Sequence, residues 1–90
     1  MRSVIDLAMY YAYILRSEAD PSQIYKGLTE DIEKRLDYHN SGKVYHTAKY
    51  KPWRMVFYAA FETRELAADF EKYLKTASGI AFLRKRFINN

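Results

Sequence analysis

No cysteine occurs at any of the 90 positions, which excludes disulfides, thiolate-held metals and a cysteine nucleophile, and fits a reducing compartment. Nor is there an apolar run approaching the roughly 20 residues that a membrane span needs. The opening stretch Met1-Arg2-Ser3-Val4-Ile5-Asp6-Leu7-Ala8-Met9 is short and broken by Asp6, so it does not read as an export leader. A cytoplasmic protein with no membrane contact is expected. Repeats, linkers and low-complexity segments are missing as well. With 90 residues, 49% of them hydrophobic, the chain suits a single domain over 1–90 with one modest core. Substrate selection must then reside on this domain or on a protein partner.

Acid is locally absent too. Between Tyr38 and Phe61 there is no carboxylate, while Lys43, Lys49, Lys51, Arg54 and His46 fall there, and after Glu71 the charges are all basic. The acids gather instead as Glu30, Asp31, Glu33 and Asp37 and around residue 65. A net charge of +4 says little alone, but this segregation suits a polyanionic partner.

Residues 9–16 read as a strand, Asp20-Pro21-Ser22 as a turn, and Gln23–Gly27 as the returning strand of an antiparallel hairpin, which brings Tyr13 and Tyr25 within reach of each other. Thr29 is the expected cap of a helix with Glu30 and Asp31 in its first turn, Ile32 and Leu36 inward, and Asn40-Ser41-Gly42 at its end. On it, Arg35 and His39 are one turn apart and share a face. Lys43–Trp53, containing Pro52, reads as an irregular basic and aromatic loop with Trp53 plugging the core edge. Arg54–Phe61 is the expected third strand. Thr63 caps a helix with Leu66, Ala67, Phe70, Tyr73 and Leu74 as its core face and Glu71 at the margin; Ser78-Gly79 breaks it before a terminal helix from Ile80 to Phe87. The expected fold is α+β, a three-stranded antiparallel sheet flanked by helices in the order β-β-α-β-α-α.

Two phenols, a guanidinium, an imidazole and a lone carboxylate suit cleavage of a phosphodiester, which needs an activated water, charge neutralisation at phosphorus and help for the leaving oxygen. Singly, each has a plain structural explanation. Nine tyrosines occur, and strands favour aromatics for packing. Arg35, His39 and Glu71 are each ordinary as wet helix residues. Their joint order is what stands out.

That order resembles the GIY-YIG nuclease family, in particular its small stand-alone members similar to the amino-terminal domain of the excinuclease C subunit. The likeness runs from Tyr10 to Phe87 through Tyr25-Lys26-Gly27-Leu28-Thr29, Asp31, Arg35-Leu36, His39-Asn40, Pro52-Trp53, the Glu71–Lys75 run and Ser78-Gly79. It departs at the first motif, Tyr11-Ala12-Tyr13 in place of Gly-Ile-Tyr, and at Lys26, which stands where the second motif has an aliphatic residue. Strand alternation sends Lys26 to the face away from Tyr25, where an exposed, snorkelling stem is expected. The resemblance implies Tyr13, Tyr25, Arg35 and His39 as catalytic and Glu71 as ligand of Mg2+ or Mn2+, without saying which tyrosine takes the proton. A divalent-metal-dependent endonuclease acting on DNA in repair, recombination or mobile-element processing is the leading expectation. Lys49 and Lys51 are candidate phosphate contacts, and no base-reading signature is visible. The alternatives are a catalytically weak or inactive nucleic-acid-binding module on the same scaffold and an accessory domain that docks through its terminal helix.

Overall fold

The computed structural model describes residues 9–86. The opening segment interrupted by Asp6, and Phe87 of the terminal helix, lie outside the described residues. Along the described chain the elements are β1 (Tyr10–Ser17), β2 (Ile24–Thr29), α1 (Ile32–Asn40), α2 (Tyr45–Ala48), β3 (Trp53–Phe61), α3 (Arg64–Leu74) and α4 (Ala77–Arg86). The strands form an antiparallel sheet in the order β2-β1-β3, as expected of the α+β class. No helix among the described residues is long and apolar enough to cross a membrane.

The middle strand explains the two-sided core. Ala12, Tyr13, Ile14 and Leu15 are all buried, because helices cover both faces of the sheet. On one face Tyr13, Leu15 and Trp53 pack with Tyr25, Leu36 and Met55 beneath α1; on the other Ile14 meets Leu74 of α3 and Leu83 of α4, with Val56, Phe57 and Phe70 around them. An irregularity opposite Ile14 and Leu15 leaves Val56 between the paired residues Phe57 and Met55. Each fully buried aliphatic side chain of this kind contributes about 1.5–3 kcal/mol. Leu66 and Tyr73, expected on the core face of α3, are instead partly exposed, and Ala67 and Leu74 carry its contact.

Four local expectations are corrected. Asp31, rather than Thr29, caps α1: its carboxylate accepts from Lys34 N at 3.0 Å, while Thr29 closes β2 and its hydroxyl accepts from Asp31 N at 3.1 Å. A carboxylate is the stronger acceptor toward the positive end of a helix. The loop after α1 contains the single turn α2, buried at Thr47. The third helical break falls at Lys75 and Thr76, and Gly79 lies inside α4, where an added Cβ would stand 1.9 Å from Tyr73 O. Gly79 thus permits two helices to touch; Thr76, whose hydroxyl accepts from Gly79 N at 3.1 Å, starts the new one. Lys26, finally, is not a free surface stem. It is half-buried and its Nζ donates to Leu74 O at 2.9 Å, so its charge sits at the carbonyl end of α3. Burial, then the charge of Lys75, lowers its pKa, with Glu71 opposing.

Candidate active site

Register sets the phenols side by side. Tyr13 pairs with Gly27 and Tyr25 with Leu15, so all four face α1, and the two tyrosine rings lie 6.2 Å apart. Gly27 has to be a glycine for this. A Cβ there would come within 2.6 Å of the Tyr13 hydroxyl oxygen and 2.7 Å of its ring carbon, so the first phenol lies directly across the backbone of the second motif. The Tyr13 hydroxyl thus lies over β2, an edge strand of the sheet.

His39 enters from the last turn of α1 and completes an aromatic cluster. Its ring centroid lies 4.6 Å from Tyr25 and 6.1 Å from Tyr13. The Tyr13 hydroxyl and His39 Nε2 are hydrogen-bonded at 3.0 Å, and His39 Nδ1 and Thr47 Oγ1 at 2.9 Å. The side chains of Tyr13, His39 and Thr47 are all essentially inaccessible to solvent. Burial, then the nearby Arg35 charge, lowers the His39 pKa, which keeps the imidazole neutral. Burial first, and then Tyr25 and Glu71, push the Tyr13 phenol well above its ordinary 10, while Arg35 pulls it down. A neutral phenol thus faces a neutral imidazole.

Arg35, one turn before His39, is half-buried with its guanidinium 5.6 Å above the Tyr38 ring, and its charge acts on both Tyr13 and His39. Glu71 stands on α3, the helix packed on the sheet face opposite Tyr13. Its carboxylate, 14% exposed, pairs with Lys75 Nζ at 2.7 Å, and its charge is felt by Tyr13 and Lys26. The structure therefore joins Tyr13, Tyr25 and His39 by contact, while the Arg35 charge acts on Tyr13 and His39 and the Glu71 charge acts on Tyr13 from across the sheet. Lys49 and Lys51 stand apart on the loop around α2, both exposed, with the Lys49 ammonium 5.2 Å from the Tyr50 ring centroid.

Among the described residues no three His, Cys, Asp or Glu side chains gather as a metal site. Glu71 offers a single hard oxygen donor that already holds a cation, the Lys75 ammonium. Such a donor fits a divalent ion that keeps most of its waters and takes substrate phosphate as a further ligand, the habit of Mg2+.

One residue that positions this site carried no signal in the chain. Thr47 lies in a segment that reads as loop, and its carbonyl is held by Trp53 Nε1, which donates to it at 2.8 Å. Asn40 in turn holds the Trp53 backbone from both sides, donating from Nδ2 to its carbonyl at 3.0 Å and accepting from its N–H. Gly27 was visible within the second motif, but its steric role needed coordinates.

Comparison with known proteins identifies the family and the fold. Residues 9–81 match the model of the GIY-YIG catalytic domain. A UPF0213 protein of Streptococcus pyogenes serotype M5 is 35% identical over 66 residues, spanning 72% of this chain and 70% of that protein. The structure-specific endonuclease subunit SLX1 of Scheffersomyces stipitis is 38% identical over 71 residues, 71% of this chain but only 21% of that much longer protein. The solution structure of the UPF0213 protein BH0048 from Bacillus halodurans superposes with a TM-score of 0.51 at 31% identity, covering 86% of this chain and 83% of that one. With its two paired tyrosines, its helix-borne Arg35 and His39, and a match that spans every element from β1 into α4, the chain belongs to the GIY-YIG catalytic-domain family.

Proposed function

We propose that the chain is a divalent-metal-dependent endonuclease that hydrolyses phosphodiester bonds in DNA. The observation that carries this reading is the hydrogen bond between the Tyr13 hydroxyl and Nε2 of a His39 held neutral, beside the Arg35 charge. Of the two tyrosines, Tyr13 is the one hydrogen-bonded to a group able to receive its proton, so we assign it as the base. His39 takes the phenol proton, and the phenolate so formed takes a proton from the attacking water. Burial, Tyr25 and Glu71 oppose the phenolate, and Arg35 works against them while presenting a guanidinium fork to the phosphoryl oxygens. Tyr25, half-buried against the imidazole, orients water or phosphate at the same opening. Glu71 would hold Mg2+ or Mn2+, which when bound supplies positive charge to the phosphate and its leaving oxygen.

The substrate class is DNA recognised by shape. Base-edge reading has no visible element here, and the Scheffersomyces relative is itself named as structure-specific. Repair or recombination is the setting that such a preference suits.

The test is a nicking assay on single-stranded, duplex and branched DNA with Mg2+ or Mn2+ against an EDTA control. Cleavage is expected with metal only, to be lost by at least about 100-fold in Glu71→Ala and in Arg35→Ala, with melting temperatures close to wild type. Salt-dependent binding without cleavage under every condition would overturn the assignment in favour of an inactive binding module. Undiminished cleavage by Glu71→Ala would remove the carboxylate from the mechanism.

A further inference from the structure

We infer that Thr47 is a positioning residue that fixes the tautomer of His39, and with it the direction in which the Tyr13 proton can move. The consequence for turnover rests on the nuclease reading above; the assignment of the proton rests on geometry alone.

Thr47 Oγ1 lies 2.9 Å from His39 Nδ1 and 3.3 Å from Val44 O. A carbonyl has no proton to give, so the Val44 contact consumes the one proton of the Thr47 hydroxyl. What remains on Oγ1 is lone pairs. Nδ1 must then carry the hydrogen and donate it to Thr47, and a neutral imidazole with hydrogen on Nδ1 has a bare Nε2. That bare nitrogen is the one 3.0 Å from the Tyr13 hydroxyl. In this order every donor meets an acceptor: Tyr13 to His39, His39 to Thr47, Thr47 to Val44. Reversal would put a hydrogen on Nε2 and leave it unable to accept the phenol proton.

The groups that face the imidazole are Tyr13 from β1, Tyr25 from β2, Arg35 and Tyr38 from α1, and Thr47 from α2. Of these, Thr47 is the one that touches the nitrogen remote from the phenol. Its placement is built in depth. The indole of Trp53 holds the Thr47 carbonyl and Asn40 holds the Trp53 backbone, so residue 47 is tied back to the residue that follows His39. This explains how a one-turn helix that begins with Tyr45 89% exposed has Thr47 only 2% exposed.

The experiment uses the full chain as wild type, Thr47→Val and Thr47→Ser. Valine keeps the branched shape without the hydroxyl; serine keeps the hydroxyl. Imidazole nitrogen NMR reads the His39 tautomer directly and needs no activity. Wild type and Thr47→Ser are expected to carry the hydrogen on Nδ1, and Thr47→Val to move toward hydrogen on Nε2. Metal-dependent nicking by Thr47→Val should lose roughly ten- to hundredfold in kcat with KM unchanged, by analogy with removal of the partner that orients a functional histidine, and Thr47→Ser should restore most of it. A wild-type His39 with its hydrogen on Nε2 overturns the inference, as does a Thr47→Val protein with wild-type tautomer and turnover. Because the wild-type spectrum decides the tautomer by itself, a Thr47→Val chain that fails to fold leaves the inference exposed to refutation. Absence of any cleavage by wild type would count against the nuclease reading, while the spectrum would still judge Thr47.

Discussion

A neutral imidazole sealed between a phenol and a hydroxyl makes stability depend on pH in a definite direction. His39 titrates near 6.5 in an unfolded chain, and burial and Arg35 lower its pKa in the fold. Below about pH 6.5 the unfolded chain therefore binds a proton that the folded one refuses. The contribution of the neutral ring is complete above that value and is lost as pH falls toward the depressed folded pKa. For one proton the slope cannot exceed about 1.4 kcal/mol per pH unit. Thermal unfolding followed between pH 7.5 and 5.5 should show a melting temperature that declines on acidification, and His39→Gln should flatten the profile in that window while melting lower throughout. A flat wild-type profile would mean that the imidazole accepts its proton inside the fold. The candidate site residues were named in the chain from the order they share with the GIY-YIG family. Thr47 was not, because its hydroxyl is useful only through a histidine eight positions earlier and an indole six positions later.

Elements were legible where one periodicity or one punctuation signal dominated. Both strands of the hairpin, α1, β3 and the Thr63 cap of α3 follow from alternation, helical spacing and capping chemistry. Gly42 at φ +82° just after α1 behaves as a helix-ending glycine does. Gly79 does not, and the difference lies in tertiary contact. A methyl there would come within 1.9 Å of the Tyr73 carbonyl oxygen and 2.7 Å of Leu74 Cα, so the obstacle is backbone and cannot swing aside. Two opposed effects meet at this position. Alanine is better than glycine inside a helix by about 1 kcal/mol, whereas forcing α3 from α4 costs about 3 kcal/mol or more. The second wins, so Gly79→Ala should destabilise by about 2 kcal/mol, measured by denaturant titration. A stabilised Gly79→Ala would mean that the two helices are free to separate without loss of the Leu74 and Leu83 packing. Lys26 teaches the same lesson at the strand edge: alternation gave its face correctly, and only the presence of α3 over that face turned an exposed stem into a hydrogen-bond donor to Leu74.

At the scale of the molecule, charge is segregated along the chain, with the acids Glu30, Asp31, Glu33 and Asp37 in and just before α1 and the basic residues Lys43, Lys49 and Lys51 in the loop after it. The loop follows directly on His39 and Asn40, and through Trp53 and Thr47 it is anchored to the candidate site. On the proposed function, with the scissile phosphate of a DNA strand at Tyr13 and Arg35, the exposed Lys49 and Lys51 of this loop are the candidates for neutralising flanking phosphates. Each phosphate so neutralised releases counterion, which makes log K fall with log salt by about 0.9 per contact on duplex DNA. Loss of Lys49 and Lys51 together should therefore flatten the slope by about 1.8 if both are contacts. Fluorescence anisotropy of Lys49→Ala/Lys51→Ala against wild type on one labelled duplex, over a series of salt concentrations, measures this directly. The shift should be the same for duplexes of unrelated sequence, because phosphate contacts set position and affinity without reading bases. An unchanged slope would place the DNA track elsewhere and leave Lys49 to its contact with the Tyr50 ring.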